Sequence, residues 1–370
     1  MKNRLLCLVC LGLLLPLGSS FAADLIVPSM ELMTRGYSQD GVFILGTRGN
    51  LDLDVAGGYK FGGSVSINLQ SDSLEDFSRD KVLTFKAASV TARELFTLPL
   101  DISYFIGKTD LFCNGDIFAD VFGAPGVSSL YRGYMYFPET VPYEAIHGIG
   151  GTGVKISTSP NRFQRFLASA YIYQDSYMAL EGGPGYFSTD LRGVLNLEQI
   201  KLDGFFGATF PYAPSGLYRM GLLFFYKPAT AGEFLMEIGI PRWDPAVDPF
   251  SINLFYFLFE PRLTLNAMSI ILTLFWHPGY YLQQATEETG TTNININFSF
   301  GNLSKAPYAG GIESSISLLS TETTQFRVLL SPYFRAVTSG VLWDFKVNFN
   351  LYPFVLDDLI EGFIGIRAEF

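Results

Sequence analysis

Residues able to do covalent or metal chemistry are sparse in this chain. Its 2 histidines, His147 and His277, lack a serine, aspartate or second ligand at a spacing that would make a nucleophile–base pair or a metal site. His277 precedes Pro278-Gly279 and reads as the start of a loop, while His147 reads as the start of a strand. Cys7 and Cys10 fall in an apolar N-terminal run, which leaves Cys113 without an internal disulfide partner and reading as a plain loop cysteine. The glycine pairs Gly57-Gly58, Gly62-Gly63, Gly150-Gly151 and Gly182-Gly183 have no phosphate-loop context and read as bends and turns. Neither enzymatic activity nor a cofactor is expected. A long stretch without alternation, 108–146, holds Asp110, Asp116, Asp120, Arg132, Glu139 and Glu144.

What positions these residues is an alternation of two chemistries. Val341, Trp343, Phe345, Val347, Phe349 and Leu351 are large and apolar; apart from Leu342, the residues between them are Asp344, Lys346, Asn348 and Asn350. Successive side chains of a strand point to opposite faces, so one face is greasy and the other polar. The pattern recurs at Thr292–Phe300 and, with Asp52, Asp54 and Lys60 on the polar side, at Leu51–Phe61. Half-buried strands of soluble sandwiches alternate over about 4–8 residues, whereas longer repeated runs suit strands that cross a bilayer at a tilt. The expected fold is all-β: a transmembrane antiparallel barrel of about 16–18 strands, within a range of about 14–18.

The ends and the composition agree. Lys2 and Arg4 precede an apolar Leu5–Leu17, and Ser20-Phe21-Ala22 offers small residues for cleavage, so 1–22 reads as a signal peptide. That leaves a short periplasmic segment at 23–40 and a barrel over 41–370. The formal net charge is −10 with no basic cluster, which argues against nucleic-acid binding. Mean hydropathy is mildly positive, yet no apolar run reaches the roughly 20 residues of a spanning helix. Aromatics make up 15% of the chain and fall near inferred strand ends (Tyr59, Phe210, Tyr226, Trp243, Trp276, Tyr352), as an interfacial girdle requires.

Connections sort by parity. Short candidates (Ser159-Pro160-Asn161, Glu198-Gln199, Pro228–Ala231, Glu260-Pro261-Arg262) take even places, and longer polar ones (Ser71–Asp80, Asp175–Tyr186, Pro241–Phe250, His277–Thr291) take odd places. This predicts an even strand number with both termini in the periplasm. Gly301–Pro307 and Phe334–Gly340 are long for inner turns, and the alternation changes phase near Met268–Ser269, where a bulge is expected. Lys108–Ile146 is then the third external loop. It is expected to fold into the lumen as a constriction, with a short helix over Asp116–Phe122 capped by Asp116, to lie outside as a loop or lid over the mouth, or to hold a further hairpin at Ser129–Phe137.

The chain closes on Phe370, preceded at alternate places by Ala368, Ile366 and Ile364, with Glu369, Arg367 and Glu361 opposite. This resembles the C-terminal assembly signal of bacterial outer-membrane proteins. Overall the chain resembles outer-membrane barrels of the porin type. That resemblance implies passive diffusion of small polar solutes, recognition by the barrel-assembly machinery, a lipid-embedded outer face and a homotrimer. In many porins the third external loop narrows the pore, which would make Asp116, Asp120, Arg132, Glu139 and Glu144 constriction residues. The fatty-acid transporters of the outer membrane are a second resemblance, but Asp24–Asp40 is short for their plug and lacks their Asn-Pro-Ala motif; a TonB-dependent transporter would need a far larger plug. By phase, Asp52, Asp54, Lys60, Lys201, Asp203, Asp344 and Lys346 should face the lumen, and an acidic lumen would favour cations. Phe205, Leu223, Phe225 and Leu342 share that phase and keep open a transporter of hydrophobic molecules, beside an adhesin or scaffold barrel.

Overall fold

The structure, a computed structural model, describes residues 23–26, 29–71, 73–74, 81–95, 98–129, 145–160, 163, 165–176, 186–210, 216–228, 232–281, 284–285, 291–303, 305–319, 325–356 and 359–369. Its strands form a closed antiparallel barrel of 18 staves. They are β1 (Ser29–Gln39), β2 (Val42–Gly57), β3 (Phe61–Ser71), β4 (Lys81–Ala92), β5 (Leu100–Phe112), β6 (His147–Thr158), β7 (Phe166–Asp175), β8 (Tyr186–Asn196) and β9 (Ile200–Phe210). There follow β10 (Leu217–Tyr226), β11 (Gly232–Trp243), β12 (Tyr256–Leu265), β13 (Met268–His277), β14 (Thr291–Phe300), β15 (Tyr308–Leu319), β16 (Gln325–Thr338), β17 (Val341–Tyr352) and β18 (Ile360–Glu369). Each pairs with its neighbours in sequence, and β18 closes on β1 from Ser29↔Glu369 to Tyr37↔Glu361. A short piece, Ala23–Ile26, continues the line of β1 along the end of β2.

The wall is inside out relative to a soluble protein. On β17 the charged and amide side chains Asp344, Lys346, Asn348 and Asn350 are buried, while Phe345 and Leu351 are 40% and 52% exposed. On β8 the buried set is Ser188, Asp190, Arg192 and Val194, and the exposed set includes Phe187 and Leu191. Period-two alternation on a closed sheet forces this result: one parity faces inward everywhere and the other forms an outer apolar band.

Several sequence expectations are corrected. Residues 29–39 are not a periplasmic segment but a wall strand; the alternation is weak there because Met33 faces inward and Thr34 outward. The expected strands 41–47 and 51–60 are one strand, β2, since the polar stretch Thr47–Asn50 continues the ladder to β1 instead of turning. These two errors cancel, which leaves the strand number unchanged. Glu260-Pro261-Arg262 is not a turn: it lies within β12, and Pro261 sits where the ladder to β13 is interrupted between Phe259↔Leu274 and Arg262↔Ile271. The phase change near Met268 is a chain reversal at Asn266-Ala267, with Asn266 at φ 54, rather than a bulge. Phe334–Gly340 resolves the same way: β16 runs on to Thr338, and Ser339-Gly340, both at positive φ, make a two-residue turn. The segments 1–22 and Phe370 lie outside the described residues.

The long connection leaves the wall through a specific device. β4 and β5 pair only from Ala87↔Gly107 to Ala92↔Ile102, after which β5 follows β6 alone to Phe112↔His147. At the fork Gly107 has φ +93, and a Cβ there would collide with the Lys86 carbonyl. Only glycine meets both conditions without strain. Two outcomes are expected. Gly107→Ala lowers stability by about 1–3 kcal/mol, read as an earlier denaturant midpoint in detergent. Phe345→Arg, on the outer face, costs about 2–4 kcal/mol in lipid vesicles, whereas Asn348→Arg, on the inner face, costs less; equal penalties would mean the faces are wrongly assigned.

Candidate functional site

The inner surface has two unlike arcs. On the first, spanning β6 to β13, inward side chains are packed beneath the long connection. β5 delivers Phe112 among Tyr171 (ring centroids 5.4 Å), Phe205 (5.0 Å) and His147 (5.8 Å), with the Arg192 guanidinium 4.9 Å from its centroid. The next residue, Cys113, donates its backbone N–H to Asp203 Oδ2 at 2.8 Å and its thiol to the Asp203 carbonyl at 3.1 Å. Asp203 is fixed by Arg192, whose Nε and Nη2 donate to its two oxygens at 2.9 and 2.7 Å. The short helix α1 (Ile117–Phe122) buries Ile117 and Phe118, the latter beneath Lys201 Nζ at 5.0 Å. Farther on, Ser129 Oγ donates to Glu260 Oε2 at 2.6 Å, and Arg262 bridges the Ser128 carbonyl (2.7 Å) and Glu260 (2.8 Å). Segment 112–129 therefore lies against the inner face of the wall, pinned at both ends by charged groups of β8, β9 and β12.

Two further ion pairs lie on this arc. Lys155 and Tyr171 share Asp110 at 2.8 and 3.1 Å. Arg219 binds Asp190 through Nε at 2.7 Å and Nη2 at 2.5 Å, and Thr209 at 2.6 Å. In the barrel interior such pairs cannot lose one member cheaply, because the other is left buried and uncompensated.

The second arc, β14 round to β4, carries amides and hydroxyls with crossed ion pairs. Asn293–Ser317 and Ser331–Asn348 join neighbouring strands, and Asn297–Tyr333 reaches from β14 to β16 across β15, all at 2.6–2.8 Å. Arg335–Asp344 (2.7 Å), Lys346–Glu313 (3.2 Å), Arg367–Glu31 (2.9 Å), Arg35–Glu361 and Lys86–Asp52 supply the charges. Asp52 also accepts from Asn68 and Ser29. Arg35, Arg48, Asn50 and Asp52 stay half-exposed although they face away from the apolar band.

Of the residues expected at the lumen, Asp52, Asp54, Lys201, Asp203, Asp344 and Lys346 are on inward-facing wall positions. Lys60 is not: it is exposed in the turn 58–60, because β2 ends at Gly57, three residues before it. Among the constriction residues, Asp116 and Asp120 belong to the inward segment, with Asp120 on the exposed side of α1. Arg132, Glu139 and Glu144 lie outside the described residues. The expected helix is present, but Asp116 makes no side-chain cap; its carboxylate accepts from Asn114 at 3.1 Å instead. His147 is buried between Phe112 and Phe205, and His277 Nδ1 lies 2.9 Å from the Pro278 carbonyl. The anchors Arg192, Arg219, Glu260 and Arg262 went unrecognised in the sequence. Arg192 was findable, since Ser188, Asp190 and Arg192 alternate with Phe187 and Leu191; Glu260 and Arg262 were hidden by the apparent Pro261 turn.

No family model matches the sequence, and neither does any curated protein. Solved structures do match in fold. OccK2 (OpdF) of Pseudomonas aeruginosa aligns over 95% of this chain and 98% of its own, with 8% identity and a TM-score of 0.55. The fold is that of the bacterial porins. OmpF of Salmonella typhi (94% of this chain and 97% of its own, 9% identity, TM-score 0.47) and a mutant porin of Rh. blastica (94% and 100%, 10%, 0.45) also align. In this porin-like barrel Cys113 is a probe of the docked segment. Burial, reinforced by Asp203 and Glu237, pushes its thiol well above the usual range, so it should resist maleimide in the native barrel. Asp203→Ala should make Cys113 labelable and cost about 3–5 kcal/mol of stability; a Cys113 that labels fully in the parent would mean that the segment is not docked.

Proposed function

We propose that this barrel is an outer-membrane porin passing small polar solutes by passive diffusion. The half-exposed, inward-facing Arg35, Arg48, Asn50 and Asp52 carry this reading. Charged groups that keep solvent exposure on the side away from the apolar band need water beside them, and a hydrated path along the second arc supplies it. On this reading 1–22 is the export signal and the outward-facing Ile364 and Ile366, with Phe370, address the chain to the barrel-assembly machinery. The long connections face outside, and both termini face the periplasm.

Segment 113–146 acts as the constriction. The apolar side of its described part, 113–129, packs on the first arc and Asp120 stays exposed; on this reading Asp116, Arg132, Glu139 and Glu144 share the constriction with it. A greasy channel for hydrophobic molecules has less support. Phe205, Leu223 and Phe225, which suggested it, are occupied in packing with Phe112, Ile117 and Phe118.

Purified protein in planar bilayers should give stepwise, salt-dependent conductance, and liposomes containing it should swell in isotonic small sugars. Deleting Asp116–Glu139 should raise single-channel conductance while the barrel still shows heat-modifiable migration on gels. Reproducible silence from folded parent protein sinks the porin reading, and unchanged conductance on deletion removes the constriction from it.

A further inference from the structure

Two connections at the long-loop end present apolar side chains that no described residue covers. In 353–356, directly after β17, Phe354 and Leu356 are 67% and 76% exposed, with Val355 between them. In 244–255, which joins β11 to β12, Phe250 and Ile252 are 63% and 68% exposed. Single exposed apolar side chains are ordinary, whereas contiguous ones mark a membrane or a partner.

Both sets continue the outer face of the wall. Tyr352, the last residue of β17, is exposed, and its ring lies 5.6 Å from that of the exposed Phe326 on β16. At the other connection a row of rings leads out of the wall: Tyr218 to Trp243 (6.4 Å), Trp243 to Phe250 (5.6 Å) and Phe250 to Phe255 (5.6 Å). Tyr218 alternates with the inward Leu217 and Arg219, and Trp243 is its partner across the ladder, so the row starts on the outer face. Height agrees. The outward set of β17 runs from Val341 to Leu351, about ten steps of about 3.3 Å, or about 25 Å along the axis at a tilt of about 40°, which is the height of an apolar band. Phe354 to Leu356 follow directly beyond it, where headgroups meet acyl chains. Each connection also bonds part of its own backbone, as entry to that layer requires. Asn350 N–H donates to the Leu359 carbonyl at 2.9 Å. Asp248 N–H donates to the Asp244 carbonyl at 2.7 Å, Phe255 N–H to the Ile252 carbonyl at 3.0 Å, and the Trp243 indole to the Asp248 carbonyl at 3.0 Å.

We infer that these two connections rest in the outer leaflet, with Phe250, Ile252, Phe354 and Leu356 among lipid acyl chains, instead of standing in water as external loops. This rests on the outer-membrane reading above. Lipid is the occupant because both sites are continuous with the apolar band, which lipid already surrounds. The two connections also leave β11 and β17, six staves apart on a wall of 18. A single contact with another protein would cover one and leave the other, whereas an annulus of lipid reaches both.

Nitroxide spin labels on Ile252→Cys and Leu356→Cys, each in the exported chain with Cys113→Ser and reconstituted in phospholipid vesicles, test this. Labels on Phe345→Cys, on the outer wall, and on Asp40→Cys, in an exposed turn, serve as the lipid and water references. Both test labels should relax with dissolved oxygen and be shielded from an aqueous nickel chelate, as the label on Phe345→Cys is. Access of the chelate equal to that at Asp40→Cys returns the connections to water and overturns the inference. Shielding from oxygen and chelate alike means that protein, such as a second copy, covers them, and overturns it too. Heat-modifiable migration verifies folding. Should the label at Ile252→Cys or Leu356→Cys prevent it, Trp243 emission in the chain with Trp276→Phe and Trp343→Phe is read instead. Lipids brominated near the headgroup should quench it and aqueous acrylamide should not; the reverse overturns the inference. If the chelate also reaches the label on Phe345→Cys in a folded barrel, the membrane reading fails and the inference falls with it.

Discussion

A sheet in hydrocarbon cannot have an edge, because each unpaired backbone N–H or C=O costs several kcal/mol there. In this protein the junction that removes the edge is made by the two extremities of the wall, β1 and β18. Their ladder runs from Ser29↔Glu369 to Tyr37↔Glu361 and is cross-braced on the inner side by Arg367–Glu31 and Arg35–Glu361. Closure with an even number of antiparallel staves places both extremities at one rim. It also sorts the connections, so that two- and three-residue turns such as 58–60, 266–267 and 339–340 gather at the rim with the termini while 72–80, 113–146, 244–255 and 278–290 gather at the other. Asp40-Gly41 is the departure, a tight turn at the long-loop rim.

Closure also fixes what the interior must contain. One parity of the strands forms the outer apolar band, so most polar residues fall on the other parity, where water or partners must satisfy them. The chain uses both solutions. Over β6 to β13 the inward charges are consumed by one another and by the docked segment: Arg192 holds Asp203, which holds Cys113, and Arg262 with Glu260 holds Ser128 and Ser129. Over β14 to β4 no described segment covers the inner face; there neighbouring strands satisfy one another through Asn, Ser and ion pairs, and several of these groups stay half-exposed. The fork at Gly107 decides which arc receives the segment, since it peels β5 from β4 and sends Phe112 toward Tyr171 and Phe205.

The sequence made the architecture legible because alternation is a local signal repeated in every stave. Asp344 and Lys346 alternate with Phe345 and Val347 in the sequence, and on β17 the two charged residues are buried while Phe345 is exposed. Failures occurred where local chemistry imitates a different structure. Thr47–Asn50 looks like a turn but extends a strand, Pro261 looks like a break but occupies an interrupted ladder, and Met33 with Thr34 blurs the parity of β1. The pairing of distant charges was not readable at all: Arg192 and Asp203 are 11 residues apart, but Ser129 and Glu260 are 131 apart, and only the closed wall brings them together.

The division of charge between wall and rim follows from the same constraint. An unpaired carboxylate on the inner wall faces others across a confined space, where repulsion is larger than at an open rim. The same carboxylate in a connection at the rim is hydrated and screened, and costs the fold little. A strongly acidic barrel can therefore keep its wall near neutrality by exporting the excess to its loops. In this sequence the excess falls in one alternate set of connections, and the other set is basic. Loop length alone does not require that asymmetry, since 159–165 and 93–99 at the basic rim are longer than 320–324 at the acidic one. The acidic character of the sequence is thus a property of its connections rather than of its strands.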